Sequence, residues 1–195
     1  MNNSIGYYEE NADRYIEATR DIDFHAAQDR FLQYLCKPSN ILDFGCGSGR
    51  DTKYFLQKGH AVDATDGCME FCRQASDYTG ISVKQMLFQE LNVRNVYDGI
   101  WACSSILHLD KCELADVMVR MVQALKTNGV IYTSFKYGDF CGERNERHFS
   151  DFTENSFTKF IEDIPELQIK DIWISCDIRP GKEEEKWLNL ILQKK

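Results

Sequence analysis

The sequence predicts an α/β protein of three layers, in which helices cover both faces of a seven-stranded, mainly parallel sheet. Short apolar segments typical of strands alternate with helical segments along most of the chain, which favours parallel strands. The last two strand-like segments follow each other without a helix between them, which predicts an antiparallel C-terminal edge strand. A chain of 195 residues is long enough for one well-buried domain.

The composition limits the classes of partner. The net charge is −8, so a general nucleic-acid or anionic-membrane binder, which needs clustered positive charge, is not expected. The N-terminus, MNNSIGYYEENADRY, lacks the basic and apolar regions of a signal peptide, and no apolar run approaches the roughly 18 residues of a membrane span. We therefore expect a cytoplasmic protein without a membrane partner. Its oligomeric state stays open.

The eight cysteines favour reduced thiols over disulfides or a metal site. No Cys-x-x-Cys pair occurs, and cytoplasmic proteins keep their thiols reduced. Cys68 and Cys72 lie one helical turn apart, a spacing that is also common by chance. We expect no bound metal.

The first half of the chain predicts helices and strands in alternation. Residues 25–36 place apolar side chains on one helical face, and Pro38 ends that helix. Gly59 and Gly80 end two later helices. The predicted helices are 7–19, 25–36, 50–58 and 68–78, and the predicted strands are 41–44, 60–65, 81–88 and 99–104.

The second half continues this pattern up to a long irregular segment. Asn128-Gly129 is a C-cap signal that ends a long helix before the fifth strand. Residues 137–152 contain glycine and many charges without a period, so they predict a long loop. Thr153 predicts a helix N-cap, and Pro180-Gly181 predicts a turn whose acidic residues face solvent. The remaining predicted helices are 111–126 and 154–162, and the remaining strands are 130–135, 169–175 and 187–193.

The segment ILDFGCGSGRD, residues 41–51, joins the first strand to a helix. Gly45, Gly47 and Gly49 have no side chain, so a ligand can approach the main chain at the carboxyl end of the strand, where open parallel sheets bind ligands. A dinucleotide site has the spacing G-x-G-x-x-G and holds a pyrophosphate. Here the spacing is G-x-G-x-G and Asp43 precedes it, so the loop favours a cationic ligand that a carboxylate attracts.

This pattern resembles the first motif of the class I S-adenosylmethionine-dependent methyltransferases, in which an acidic residue precedes G-x-G-x-G. The cofactor of that family carries a sulfonium and an ammonium but no phosphate. Further matches are Asp66 at the end of the second strand, YDGIWACSSILHL (97–109) and ALKTNGVIYTSF (124–135), although the family's usual proline before the last glycine is absent. The resemblance covers residues 41–135 and implies a Rossmann-like fold, methyl transfer and S-adenosylmethionine as the cofactor.

The resemblance also implies where the cofactor is held. In the family, an acidic residue at the position of Asp66 bonds both ribose hydroxyls, and Leu87 and Phe88 match positions that border the adenine. Alternatives stay open: Asp66 as a helix cap, and Cys46 and Phe88 as packing residues. The residues that the resemblance places around the cofactor are Tyr8, Tyr15, Asp43, Gly45, Cys46, Gly47, Gly49, Asp66, Gly67, Phe71, Leu87, Phe88 and Cys103.

The N-terminal helix resembles a lid of small-molecule members of the family, in which tyrosines close over the cofactor. Tyr8 and Tyr15 share one helical face, and ordinary aromatic packing is the alternative. His108 follows the fourth strand and is placed to orient or deprotonate an acceptor, or only to begin a helix. Asp51, in a first helical turn, is either favoured by the helix dipole or a cofactor contact.

The predicted loop over 137–152, with the residue just before it, carries a cluster of cationic side chains, formed by Lys136, Arg144, Arg147 and His148. They fit an anionic acceptor held by forked hydrogen bonds, or they pair with Glu143, Glu146 and Asp151. Arg147 and His108 are the candidate catalytic residues. The candidate substrate-binding residues are His108, Lys136, Arg144, Arg147 and His148.

We expect one methyltransferase domain over 1–195, with an N-terminal helical lid (1–38), a cofactor-binding half (39–136) and an acceptor part (137–195) that holds the loop, a helix and the terminal strands. The small size and the lid favour a small-molecule acceptor. The chain loosely resembles compact bacterial methyltransferases of the tellurite-resistance type. An RNA or protein acceptor, and a noncatalytic cofactor-binding module, stay open as alternatives.

An NAD-dependent oxidoreductase is the main rival. Tyr132 and Lys136 have the Tyr-x-x-x-Lys spacing of short-chain dehydrogenases, which needs a helix to bring the two side chains together. Here the pair lies on a predicted strand, where four residues span roughly 13 Å. We therefore interpret the spacing as coincidence.

Overall fold

A computed structural model describes residues 3–195, and these residues fold as the predicted α/β sandwich. Its helices are α1 (Asn3–Thr19), α2 (His25–Leu32), α3 (Arg50–Gln57), α4 (Met69–Thr79), α5 (Lys111–Ala124) and α6 (Glu154–Ile161). Its strands are β1 (Asn40–Phe44), β2 (Ala61–Asp66), β3 (Lys84–Gln85), β4 (Tyr97–Ala102), β5 (Leu125–Lys136), β6 (Cys141–Arg144), β7 (Arg147–Ser150), β8 (Leu167–Cys176) and β9 (Lys186–Lys194).

The main sheet has seven strands in the order β3-β2-β1-β4-β5-β9-β8. The first five strands in this order, β3, β2, β1, β4 and β5, are parallel to one another. β9 runs antiparallel to both β5 and β8. The predicted fold class is therefore confirmed, with the antiparallel pairing at one edge: β9 lies between β5 and the outermost strand β8.

Neighbouring residues of the central strands send their side chains to opposite faces of the sheet. On one face, Leu42 of β1 shares a core with Val117 of α5. On the other face, Ile41 packs with Phe31 of α2 and Phe55 of α3. Helices therefore cover both faces, and the carboxyl ends of the parallel strands are left for a ligand.

The prediction of a loop over 137–152 is wrong, because this segment contains the hairpin of β6 and β7. Its turn is Asn145-Glu146, in which both residues have positive φ, 49° and 62°. A two-residue hairpin turn of this kind usually has glycine after the asparagine. Glutamate stands there instead, so the sequence carried no turn signal.

Smaller differences concern the ends of strands. β3 covers only Lys84–Gln85 of the predicted 81–88, since Leu87 begins a short turn in which its N–H donates to Glu90 Oε2 at 2.7 Å. β5 begins at Leu125, directly after α5, rather than at residue 130. The predicted N-cap of α6 is confirmed: the Thr153 hydroxyl accepts from the Ser156 N–H.

The described residues also bear on membranes, thiols and metals. Between residues 3 and 195, no helix is both long and apolar enough to cross a membrane. All eight cysteines are free thiols. In the same range, no group of three or more His, Cys, Asp or Glu side chains is arranged to hold a metal ion.

A buried carboxylate joins α2, α3 and β4. Asp51 accepts hydrogen bonds from Gln28 Nε2 at 2.6 Å and from Trp101 Nε1 at 2.8 Å. It also pairs with Arg50 through two nitrogens, at 2.7 and 2.9 Å. Since these donors come from separate elements, the carboxylate fixes α2 and the start of α3 against the sheet.

We expect Asp51→Asn to lower the free energy of unfolding by about 3–5 kcal/mol, because the Arg50 charge would stay buried without its partner. Asp77→Asn is the matched control: its carboxylate faces Arg73 at 3.5 Å on the exposed side of α4, where a pair contributes about 0–1 kcal/mol. Urea unfolding followed by circular dichroism measures both. Equal losses in the two variants would contradict the structural role of Asp51.

Candidate active site

A cavity of about 1970 Å³ lies at the carboxyl ends of β1, β2, β4 and β5. Side chains of α1, of the β6–β7 hairpin and of the β8–β9 connection line its other walls. One drug-sized ligand occupies a pocket of roughly 300–1,000 Å³. The cavity therefore has room for two ligands side by side.

Most of the site residues predicted from the sequence line this cavity. Asp43, Gly49 and His148 are not among the lining residues of the described chain. The predicted residues that do line it are Tyr8, Tyr15, Gly45, Cys46, Gly47, Asp66, Gly67, Phe71, Leu87, Phe88, Cys103, His108, Lys136, Arg144 and Arg147.

The three glycines of the loop after β1 have different roles. A Cβ on Gly45 would lie 2.5 Å from Ser105 Cβ, and one on Gly49 would lie 2.9 Å from Thr79 Cγ2, so both positions are needed for packing. A Cβ on Gly47 would lie 3.8 Å from the ring of Tyr15 and would project into the cavity. Gly47 is thus the position at which a missing side chain leaves space for a ligand.

Two carboxylates flank this loop. Asp66 accepts from the N–H groups of Gly47 and Cys68, each at 2.9 Å, and burial raises its pKa to about 6. Asp43 accepts from Thr52 Oγ1 at 2.5 Å, and burial together with the Asp51 carboxylate raises its pKa. Since burial disfavours both negative charges, a cation beside them would stabilise their ionised forms.

The cysteines near the cavity are not activated nucleophiles. Burial raises the pKa of Cys103 to about 12 and also raises that of Cys46. Both thiols are therefore neutral near pH 7, and the thiolate is the reactive form. This agrees with the interpretation of Cys46 as a packing residue.

Helix α1, the predicted lid, lines the cavity with aromatic rings. The Tyr8 and Tyr15 rings lie 5.3 Å apart, and each lies within 5.6 Å of the Phe71 ring. Outside the cavity, Glu9 accepts from the Met69 N–H at 2.7 Å, which ties α1 to the start of α4. Asn11 interrupts the helical backbone between the two tyrosines.

A chain of hydrogen bonds connects the lid to the hairpin. His108 Nδ1 lies 2.7 Å from the backbone carbonyl oxygen of His148. His108 Nε2 lies 2.8 Å from the Tyr8 hydroxyl, to which Arg147 Nη1 donates at 3.2 Å. Burial lowers the pKa of His108 to about 4, so its ring is neutral near pH 7.

The predicted cations differ in their partners. Lys136 pairs with Asp177 at 3.3 Å and also with Glu185, and Arg144 pairs with Asp151 at 2.5 Å. The predicted alternative, pairing with a nearby acid, thus describes Arg144. The ring of His148 contacts Ser150 and Cys141, consistent with the alternation of side chains along β7.

Arg147 has no such partner. Among residues 3–195, no carboxylate oxygen lies within 4.0 Å of its guanidinium, and its buried Nε has no hydrogen-bond acceptor. Its guanidinium lies instead over the rings of Tyr7 and Phe149, at 4.3 and 5.3 Å. This cation on the cavity wall is therefore compensated by aromatic faces and the Tyr8 hydroxyl rather than by a carboxylate.

Sequence reasoning missed the wall formed by the β8–β9 connection. Asp177 accepts from Arg179 at 2.5 Å, from Trp187 Nε1 at 3.0 Å and from Lys136. The acidic residues here were predicted to face solvent. Asp177 lies just before them and Lys136 lies 41 residues away, so no local pattern could reveal this contact.

The comparison with protein families identifies a domain in the chain. Residues 41–129 match the family described as methyltransferase domain. The chain carries a class I S-adenosylmethionine-dependent methyltransferase domain. The predicted family and its cofactor are thereby confirmed at the level of this domain.

Individual relatives of the methyltransferase domain cover different shares of the chain. A malonyl-[acyl-carrier protein] O-methyltransferase of Acetivibrio thermocellus is 27% identical in an alignment of 155 residues, which covers 74% of this chain and 53% of that protein. The chain thus spans about half the length of this curated relative.

Solved structures share the fold of the methyltransferase domain. A 1,6-didemethyltoxoflavin-N1-methyltransferase of Burkholderia thailandensis, with 1,6-didemethyltoxoflavin and S-adenosylhomocysteine bound, has a TM-score of 0.76 and 22% identity over 98% of this chain and 85% of its own. TehB from Haemophilus influenzae has a TM-score of 0.72 and 16% identity over 95% of this chain and 67% of its own.

The residues present in the methyltransferase domain fit S-adenosylmethionine. Gly47 leaves space beside the lid, and Asp66 presents a carboxylate to the cavity at the end of β2. Asp43 lies behind the loop, where burial raises the pKa of its carboxyl and a nearby cation would favour its ionised form. The role of each residue toward the cofactor stays a prediction.

We expect Asp66→Asn to weaken S-adenosylhomocysteine binding roughly 10- to 100-fold, since a charge-assisted hydrogen bond contributes about 1.5–3 kcal/mol. The pKa of Asp66 is raised to about 6. Wild-type binding should therefore weaken as the pH falls through 6 and the carboxylate is protonated, whereas binding to the variant should not respond.

Calorimetry between pH 5 and 8 measures this dependence. Asp63→Asn is the control, since it makes the same change on the exposed face of the same strand. Unchanged affinity in Asp66→Asn would show that Asp66 does not hold the ribose.

Proposed function

We propose that the chain transfers the methyl group of S-adenosylmethionine to a small anionic acceptor molecule in the cytoplasm. The observation that carries this proposal is the Arg147 guanidinium, which lines the cavity without a carboxylate partner among the residues that the structure describes. A half-buried cation whose buried Nε has no acceptor favours an anionic ligand. The net charge of −8 leaves little general attraction for nucleic acid.

The size and position of the cavity support a small acceptor. The cavity has room for a cofactor and one further small ligand, and α1 lines it on one side. The toxoflavin methyltransferase, which shares the fold, was crystallised with its small-molecule acceptor. Location in the cytoplasm rests on the sequence prediction.

The proposed mechanism depends on alignment rather than on acid catalysis at the leaving group. S-adenosylmethionine would supply a methyl group on a positively charged sulfur. The sulfur is a leaving group that needs no proton. The tasks of the chain are therefore to orient the acceptor and to exclude water. Tyr8, Tyr15 and Phe71 give the aromatic cover, and Arg147 orients the anionic group through forked hydrogen bonds.

A methyl-transfer assay on a metabolite extract tests the function. The protein is incubated with methyl-labelled S-adenosylmethionine and the small-molecule fraction of a cell extract, with separate reactions that contain total RNA or protein. We expect label in compounds that an anion exchanger retains. Label only in RNA or protein would contradict the proposal, and cofactor binding without any transfer would favour a noncatalytic module.

We expect Arg147→Ala to raise the KM for the acceptor roughly 10- to 100-fold, because charge-assisted hydrogen bonds to the anionic group are lost. The affinity for S-adenosylhomocysteine should stay unchanged. Arg73→Ala is the matched control, since Arg73 is 60% exposed on the far side of α4 and pairs with Glu70. Full activity of Arg147→Ala with the labelled acceptor would contradict the role of this residue.

A further inference from the structure

The hydrogen-bond chain from His148 to Arg147 fixes which ring nitrogen of His108 carries a proton. The backbone carbonyl of His148 can only accept, so His108 Nδ1, at 2.7 Å, is the donor. In a neutral ring, Nε2 then has a lone pair and no proton. The Tyr8 hydroxyl, at 2.8 Å from Nε2, is therefore the donor in that bond.

The same geometry separates His108 from the acceptor. His108 is 7% exposed, and its Nε2 is engaged by Tyr8. Tyr8 is half-buried, and its ring lines the cavity beside Arg147. A molecule held by Arg147 thus meets the Tyr8 hydroxyl, which stands between it and the histidine.

The Tyr8 oxygen has the hydrogen-bonding capacity for a relay. A phenol hydroxyl donates one hydrogen bond and accepts up to two. It donates to His108 Nε2 and accepts one bond from Arg147 Nη1. Its second lone pair is suited to an O–H or N–H group of an acceptor, and the nearby guanidinium stabilises negative charge on the oxygen.

We propose that the Tyr8 hydroxyl takes the proton from the acceptor's nucleophile while His108 Nε2 takes the proton of Tyr8. This proposal rests on the proposed methyl transfer and narrows its substrate class. The acceptor carries an anionic group, held by Arg147, next to a protic nucleophile, which is a hydroxyl or an N–H group.

The step balances in atoms and charge. The O–H or N–H bond of the acceptor breaks, and its electron pair forms the new bond to the methyl carbon. The pair of the methyl–sulfur bond stays on sulfur, which becomes neutral. The acceptor's proton ends on the Tyr8 oxygen and the Tyr8 proton on His108 Nε2, so His108 gains the positive charge that sulfur loses and later releases a proton to solvent.

The charged surroundings agree with a ring that is neutral before the step. Burial lowers the pKa of His108, the hydrogen bond to the His148 carbonyl opposes this, and the charge of Arg147 lowers the pKa further. Burial raises the pKa of the Tyr8 hydroxyl, Tyr15 of α1 and Asp66 of β2 add to this rise, and Arg147 of β7 opposes it. An anionic group on Arg147 offsets its charge and makes His108 more basic as the acceptor binds.

Kinetics of paired variants test the relay, with the acceptor fraction from the methyl-transfer assay as the substrate. Tyr8→Phe keeps the ring contacts and removes the hydroxyl, and His108→Asn keeps a donor for the His148 carbonyl and removes Nε2. Each should lower the single-turnover rate by about 10²–10⁴-fold without changing S-adenosylhomocysteine affinity. The double variant should be no slower than either single variant, because both remove one relay.

The pH profile separates the relay from mere positioning. Without the relay, the acceptor must ionise unaided, so the rates of both variants should rise toward the wild-type rate as the pH increases. Tyr34→Phe, which removes an exposed hydroxyl 3.4 Å from Asp171, is the matched control and should keep the wild-type rate. A wild-type rate in Tyr8→Phe, or a constant deficit at every pH, overturns the proposal.

A second measurement needs no acceptor. Nitrogen NMR of ¹⁵N-histidine-labelled protein with S-adenosylhomocysteine should show His108 with a protonated Nδ1 and an unprotonated Nε2, whose resonance shifts in Tyr8→Phe but not in Tyr34→Phe. A protonated Nε2 overturns the relay. This failure differs from failure of the proposed function, in which the wild-type protein methylates no small molecule.

Discussion

Negative charge buried at the carboxyl ends of β1 and β2 is the constraint on which the arrangement of the site depends. Asp51 is neutralised inside the protein by Arg50, whereas Asp66 is bonded by backbone N–H groups and keeps a raised pKa. Burial without a full counter-charge favours a cationic ligand over a phosphate. The glycine loop follows from this constraint, since the Gly47 N–H must reach Asp66 while the position stays open toward the cavity.

On the hairpin side of the cavity, the charge without a full counter-charge is positive. In an acidic protein, most cationic side chains near a cavity have a carboxylate within reach. Lys136 and Arg144 both form ion pairs with such carboxylates. Arg147 differs because it stands on the cavity side of β7 between Tyr7 and Phe149, where aromatic faces take the place of an acid. Aromatic faces stabilise a guanidinium less than an ion pair with a carboxylate does in a buried site. The charge of Arg147 is thus available to a ligand, whereas the paired cations mainly hold the wall together.

The sequence predicted the half of the site that is built from neighbouring residues and missed much of the half built from distant ones. The strand, the glycines and Asp66 follow a local pattern, and most helices and strands from 41 to 135 came close to their observed bounds, apart from β3 and the start of β5. The β6–β7 hairpin was not predicted because Asn145-Glu146 lacks the glycine that marks such turns. The wall formed by the β8–β9 connection was not predicted because Asp177 and its partner Lys136 are far apart in the sequence. Arg144 of β6 and Arg147 of β7 are directly paired across the hairpin, yet only Arg144 reaches Asp151. This difference depends on the register of the hairpin, which a loop prediction cannot give.

Helix α1 links the two halves of the site. Ala12 and Ile16 of this helix pack with Phe71 in a small apolar cluster that is separate from the main core. Tyr15 of the same helix lies beside Gly47, at the predicted cofactor loop. Tyr8, nearer the start of the helix, is hydrogen-bonded to both His108 and Arg147, which lie on elements of the other half. Because one helix carries both tyrosines, the position of α1 couples the predicted cofactor side of the cavity to the hydrogen-bond chain on its acceptor side.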